Sequence, residues 1–192
     1  MDYDWEHRVD TTSGTLNWRE RLLGLFHSPY QPTDRAEFRE MMAALPIDFR
    51  EFTFIDLGSG KGRTLLMASE YGFRRIVGVE VIQQLHRAAE ANIAACLARK
   101  PAAAASTIES LCMDARAFVF PETPLVLYLF NPLPEAGLRQ VIGNLEESWK
   151  KSPRPVWIVY DNPESERAIA ESSRFEKVTS TPRFSVFRSQ RG

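Results

Sequence analysis

Phe54-Ile-Asp-Leu-Gly-Ser-Gly-Lys-Gly-Arg63 runs an apolar strand into Asp56 and then sets glycine at alternate positions, Gly58, Gly60 and Gly62. Three glycines so close together remove side chains where a ligand must lie against backbone. An acid at the end of the strand faces whatever lies there. A helix pattern carrying Leu65, Leu66 and Ala68 follows at once, over about 61–71.

Outward from this stretch the chain alternates. Strands are predicted at 52–57, 75–80, 107–112, 125–130 and 155–160, with helices at 83–99, 134–150 and about 164–171. Leu125-Val-Leu-Tyr-Leu-Phe130 and Pro155-Val-Trp-Ile-Val-Tyr160 are almost wholly apolar, as strands buried on both faces must be. Leu138, Val141, Ile142, Leu145 and Trp149 form one helical stripe. The end differs. Arg174–Thr179 and Arg183–Arg188 alternate apolar and polar residues around a Thr-Pro turn and read as a hairpin. The expectation is an α/β fold of three layers: a mostly parallel, seven-stranded sheet with an antiparallel C-terminal hairpin.

Upstream of residue 49 the pattern is helical. Trp18, Leu22, Leu25 and Phe26 share one helix face, and Phe38, Met41, Met42 and Leu45 share another that stops at Pro46. Between them Ser28-Pro-Tyr-Gln-Pro-Thr33 is held extended by its prolines, and Thr33 can cap the next helix. Residues 1–48 are expected to form a helical extension or lid, and residues 49–192 the ligand-binding domain. Ala102–Ala105 is a short low-complexity linker.

Composition narrows the classes. A formal net charge of −1 gives no support for bulk electrostatic binding to nucleic acid or an anionic membrane. The two cysteines, Cys96 and Cys112, form no CxxC pair, and the three histidines show no ligand spacing, so no metal site is expected. The acidic N-terminus is unlike a signal peptide. No apolar run approaches the ~20 residues that span a bilayer. A cytoplasmic location follows as the expectation.

Spacing then sorts the glycine-loop families. A nucleotide-triphosphate loop needs GxxxxGK followed by Ser or Thr; here Gly62 follows Lys61 and Ile55 takes the place of the first glycine. The dinucleotide fingerprint GxGxxG needs a later third glycine, where Arg63 stands. A nicotinamide-dependent oxidoreductase is the alternative this pattern leaves, because Glu80 ends the second strand as that family also requires. An acid followed by GxGxG fits at every position. That pattern suits S-adenosylmethionine, a ligand with no phosphate but with an ammonium, a carboxylate and a sulfonium. Glu80 could accept both ribose hydroxyls with its two oxygens.

On these residues the chain resembles the class I S-adenosylmethionine-dependent methyltransferases over roughly residues 50 to 190. The resemblance implies S-adenosylmethionine as cofactor. It puts Asp56, Gly58, Ser59, Gly60 and Gly62 by the methionine part, Glu80 at the ribose with Val81 beside it, and Asp114 with Ala115 at the adenine. Read alone, Asp114 is a helix cap, and Ser59 and Lys61 are exposed loop residues. Strand four ends in Asn131-Pro-Leu-Pro134, which resembles the Asn/Asp-Pro-Pro-aromatic motif of amino-group methyltransferases. There the side-chain carbonyl accepts from the acceptor nitrogen, which makes Asn131, with Pro132, the expected orienting residue. Leu133 and Pro134 depart from the motif, and the missing aromatic argues against a nucleobase acceptor. Tyr30-Gln-Pro-Thr33 is similar to a segment that closes over the cofactor in lysine methyltransferases lacking a SET domain. This adds Tyr30 and Thr33 to the candidates. The expected reaction is N-methylation of a protein side chain or small amine. A non-catalytic module binding S-adenosylmethionine or a nucleoside is the other alternative.

Overall fold

The computed structural model describes residues 3–12, 33–99 and 107–190. The helix expected around Trp18–Phe26, the linker at 102–105 and Tyr30 lie outside the described residues. The chain opens with a short helix α1 (Tyr3–His7) and continues through α2 (Arg35–Ala43), β1 (Thr53–Leu57), α3 (Arg63–Ala68), β2 (Arg75–Glu80) and α4 (Gln83–Arg99). It then runs through β3 (Thr107–Cys112), β4 (Leu125–Leu129), α5 (Glu135–Lys151), β5 (Val156–Asp161), α6 (Arg167–Ala170), β6 (Phe175–Ser180) and β7 (Phe184–Ser189).

The seven strands lie in the order β3-β2-β1-β4-β5-β7-β6. Strands β1 to β5 pair in parallel, while β7 runs antiparallel to both β5 and β6. Every residue of β1, β4 and β5 is buried. Both sheet faces are covered, which is why these strands read as unbroken apolar runs. Side chains alternate between the faces. Phe54, Val126, Tyr128 and Val159 pack with α2, α3 and α4 on one face. Ile55, Leu127, Leu129 and Ile158 pack with α5 and α6 on the other. Phe38 on α2 is central to the first layer, with its ring centroid 5.9 Å from those of Phe54 and Tyr128. Truncating a buried phenylalanine of this kind to alanine costs about 3–5 kcal/mol.

Three local expectations are corrected. The helix expected over 61–71 is shorter: Gly62 has φ +80, a left-handed conformation that precludes helix there, and a 3-10 turn at Ser69–Tyr71 replaces the last turn. The helix at 164–171 contracts to α6. Thr33 does not cap α2; Asp34 does, its side chain accepting from the backbone N–H groups of Ala36 and Glu37 at 2.7 and 3.2 Å.

Candidate functional site

The glycine loop sits at the carboxyl end of β1, where open parallel sheets bind ligands. Gly58, Gly60 and Gly62 all have positive φ (85°, 54° and 80°). A Cβ on Gly58 would lie 2.9 Å from the Cβ of Pro132, so the loop after β1 touches the loop after β4 with no room for a side chain. The backbone N–H of Gly60 donates to Glu80 Oε2 at 2.9 Å, and that of Ile82 donates to Oε1 at 2.8 Å. Glu80 thus fixes the loop from β2, and a carboxylate with about four acceptor sites keeps capacity for further donors. Ser59 and Lys61 are buried, not exposed as their loop position suggests. Gly78, which pairs with Asp56 across β1 and β2, makes room for Ser59: a Cβ there would lie 2.6 Å from Ser59 Oγ.

Lys61 explains its own burial. Its Nζ lies 3.1 Å from Asp10 Oδ1. Asn92 on α4 accepts from the Asp10 N–H at 3.1 Å, and its Nδ2 donates to the carbonyls of Asp10 and Lys61 at 3.0 and 3.1 Å. The Arg63 guanidinium lies 4.6 Å from the ring centre of Tyr3. Residues 3–12 are therefore tied to the glycine loop itself, through partners 51 and 82 positions away.

A buried polar row crosses the same sheet face. Asp56 is in register with Tyr128, and Tyr128 with Val159. Asp161 lies two residues past Val159, so its side chain shares that face. Thr64 donates a short hydrogen bond to Asp56 Oδ2. The Tyr128 hydroxyl donates to Asp161 Oδ2 at 2.7 Å and accepts from Thr33 Oγ1 at 2.7 Å. Burial, reinforced by Glu80 and Asp161, pushes the Asp56 carboxyl up to about 7, despite the Thr64 bond. Burial likewise pushes Asp161 up to about 6, with Glu37 adding to it and the Tyr128 bond opposing it. Among the described residues neither carboxyl has a cationic side chain within ion-pair distance.

The loops after β4 and β5 are joined. Asn131 and Asn162 both have positive φ, 44° and 46°, a conformation asparagine tolerates better than most residues. Asn131 Nδ2 donates to the Asn162 carbonyl at 2.7 Å, and its Oδ1 accepts from the Tyr160 hydroxyl at 2.8 Å and the Glu164 N–H at 3.2 Å. Both lone pairs of its side-chain oxygen are thus engaged within the protein. Thr33 is buried, its hydroxyl against that of Tyr128. Asp114 caps a 3-10 turn at Ala115–Ala117, accepting from the Arg116 N–H at 2.8 Å. Its two oxygens also grip the Arg116 guanidinium, which holds the carboxyl below its ordinary range. Val81 is exposed next to Glu80.

The structure brings together Asp56, the glycine loop, Glu80, Pro132 and Asn131 at the strand ends. Sequence reasoning missed Tyr128 and Asp161, hidden in or beside apolar runs, and Asn92, a polar residue on a largely apolar helix stripe. No helix among the described residues is long and apolar enough to cross a membrane, and no group of His, Cys, Asp or Glu among them could hold a metal ion.

No protein-family model and no curated protein matches the chain. Solved structures do. An RNA methyltransferase from Salinibacter ruber, in complex with S-adenosyl-L-homocysteine, is 20% identical with a TM-score of 0.54, over 83% of this chain and 92% of that one. Ribosomal protein L11 methylase from Lactobacillus delbrueckii subsp. bulgaricus is 18% identical with a TM-score of 0.53, over 86% and 91%. A mutant of MtNAS in complex with S-adenosylmethionine is 18% identical with a TM-score of 0.56, over 81% of this chain and 61% of that one. The chain has the Rossmann-like fold of the class I S-adenosylmethionine-dependent methyltransferases.

Proposed function

We propose that this protein is an S-adenosylmethionine-dependent methyltransferase whose acceptor is a nitrogen on a protein side chain or a small amine. The observation that carries the reading is the pairing of a glycine loop with buried carboxyls that have no ion partner among the described residues. Carboxyls so placed favour a ligand with positive charge and poorly suit a polyphosphate. The donor set fits the cofactor. Gly58, Ser59, Gly60 and Gly62 would flank its methionine part, with Asp56 attracting the ammonium. Glu80 would take the ribose hydroxyls, and Val81, Asp114 and Ala115 would border the adenine. When bound, the cofactor supplies a methyl group on a positively charged sulfur.

The residues of the chain then have a positioning task. Alignment of two reactants can contribute about 7–11 kcal/mol, and an amine bound in its neutral form needs little base assistance. Asn131 acts as a positioning residue: by tying the loops after β4 and β5 together it fixes Pro132 against Gly58. The acceptor nitrogen would donate to main-chain carbonyls of these loops. The start of the chain serves as a lid, a role that the docking of residues 3–12 on Lys61 and Asn92 supports, while Arg35–Ala43 belongs to the core.

Calorimetric titration with S-adenosylmethionine, S-adenosylhomocysteine and NAD tests the cofactor. Binding of NAD alone would overturn the reading. Incubation with methyl-labelled cofactor and fractionated extract tests the acceptor. Label in protein or small-amine fractions is expected, and label only in nuclease-sensitive material would overturn the acceptor class.

A further inference from the structure

We propose that Tyr128 and Asp161 are positioning residues for the cofactor site, the Tyr128 hydroxyl pinning Thr33, and with it the chain entering α2, onto the ends of β4 and β5. This rests on the methyltransferase reading above. The three groups come from positions 33, 128 and 161, and all are at least nine-tenths buried: Thr33 is 4% exposed, Tyr128 1% and Asp161 4%. The protons run one way. Tyr128 donates to Asp161, so its oxygen receives the Thr33 hydroxyl proton. The Tyr128 hydroxyl thus links Thr33 Oγ1 to Asp161 Oδ2.

Stability alone does not account for the arrangement. A buried carboxyl without an ion partner is costly to desolvate, and apolar residues of similar volume generally replace such groups at no loss. Phenylalanine at 128 and valine at 33 would fill the same space. What the hydroxyls add is direction, since a hydrogen-bonded network fixes one arrangement where apolar packing tolerates several. The place fixed is specific. Tyr128 is the register neighbour of Asp56, two residues before Gly58. Phe38 packs against the Tyr128 ring from α2, so the chain from residue 33 into α2 is fixed at two points on Tyr128, the register neighbour of Asp56. A chain released at residue 33 would loosen the packing beside Asp56.

The test is calorimetric binding of S-adenosylmethionine and S-adenosylhomocysteine to the full chain and to Thr33→Val, Thr33→Ser and Tyr128→Phe. Thr33→Val and Tyr128→Phe are expected to raise Kd at least tenfold for both ligands. Thr33→Ser, which keeps the hydroxyl, should stay within threefold, a rescue that a merely space-filling role would not produce. The double variant Thr33→Val, Tyr128→Phe should be no worse than the weaker single one, because both break one chain. If the parent chain binds neither ligand, the methyltransferase reading falls and this proposal with it. If the parent binds and folded Thr33→Val binds within twofold of it, the positioning role is overturned and the reading stands. Should Tyr128→Phe fail to fold, the Val and Ser pair at position 33 decides.

Discussion

The two halves of the sheet present themselves to a ligand in opposite ways. At the ends of β1 and β2 side chains are removed or turned away. Three glycines have positive φ, Gly58 exposed and Gly60 and Gly62 buried, and Glu80 holds the loop by accepting the Gly60 N–H. At the ends of β4 and β5 polar side chains are abundant but spent on one another: Asn131 with Tyr160, Glu164 and Asn162, and Tyr128 with Asp161 and Thr33. One half is built to be touched by a ligand and the other to hold a shape. On the proposed reading the first half touches the cofactor and the second holds the chain beside it in place.

The largest test of that contrast is Gly58→Ala. A left-handed φ and a contact of 2.9 Å with Pro132 oppose the new methyl group. The expected cost is about 2–3 kcal/mol, combining backbone strain with displacement of the loop after β4. Thermal melting and cofactor titration should both register it. Normal cofactor affinity in this variant would break the comparison, because the backbone would not be the recognition surface.

Next is Glu80→Gln, which offers a donor where the loop needs an acceptor and removes the charge. Cofactor affinity should fall by about 2 kcal/mol, roughly thirtyfold, with the fold retained. An unchanged dissociation constant would remove Glu80 from the ribose.

Asp56, pushed up to about 7, and Asp161, up to about 6, both hold a proton to higher pH folded than unfolded. Between about pH 4 and 7 the unfolded chain therefore binds fewer protons, and stability falls as pH rises. The slope is about 1.4 kcal/mol per pH unit for each group over its own window. A cationic ligand favours the ionised forms. Affinity for S-adenosylmethionine and for its product, which share the ammonium assigned to Asp56, should both rise from about pH 5.5 to 8. Affinity independent of pH for both ligands would mean that the ammonium does not meet Asp56.

The smallest effect is expected from Tyr160→Phe. It takes one donor from Asn131 and should cost about 1 kcal/mol in melting experiments. Methyl transfer should slow while cofactor affinity stays constant. A change in cofactor affinity instead would mean that the Asn131 contacts also shape the cofactor site.

The first half was legible in the sequence and the second was not, for a physical reason. Glycine at 58, 60 and 62 is a local requirement of backbone conformation, so it shows as a local pattern, and Glu80 follows from strand arithmetic. Tyr128 sits inside Leu-Val-Leu-Tyr-Leu-Phe, where it reads as one more core residue. Its hydroxyl matters because of Thr33, 95 positions away. Asn131 was found by its place at a strand end, but the direction of its side chain depends on Tyr160 and Glu164, which no spacing reveals. The same holds for Asp10 and Lys61. The parallel strands were foreseeable because burial on both faces leaves a plain apolar signature, and the terminal hairpin because its strands alternate apolar and polar residues.

The order β5-β7-β6 carries a consequence for the birth of the molecule. β7, latest of the strands to be synthesised, is an interior strand, flanked by β5 and β6. β6 has no place to pair until β7 has arrived, and β5 shows an open, apolar edge until then. A nascent chain that has already formed its glycine loop still presents a sticky flank, of the kind that invites strand exchange and aggregation. Closure of the sheet must therefore wait for Phe184–Ser189, and a nonsense codon just before Phe184 would leave a chain with the whole glycine loop and Glu80 present and an unprotected edge.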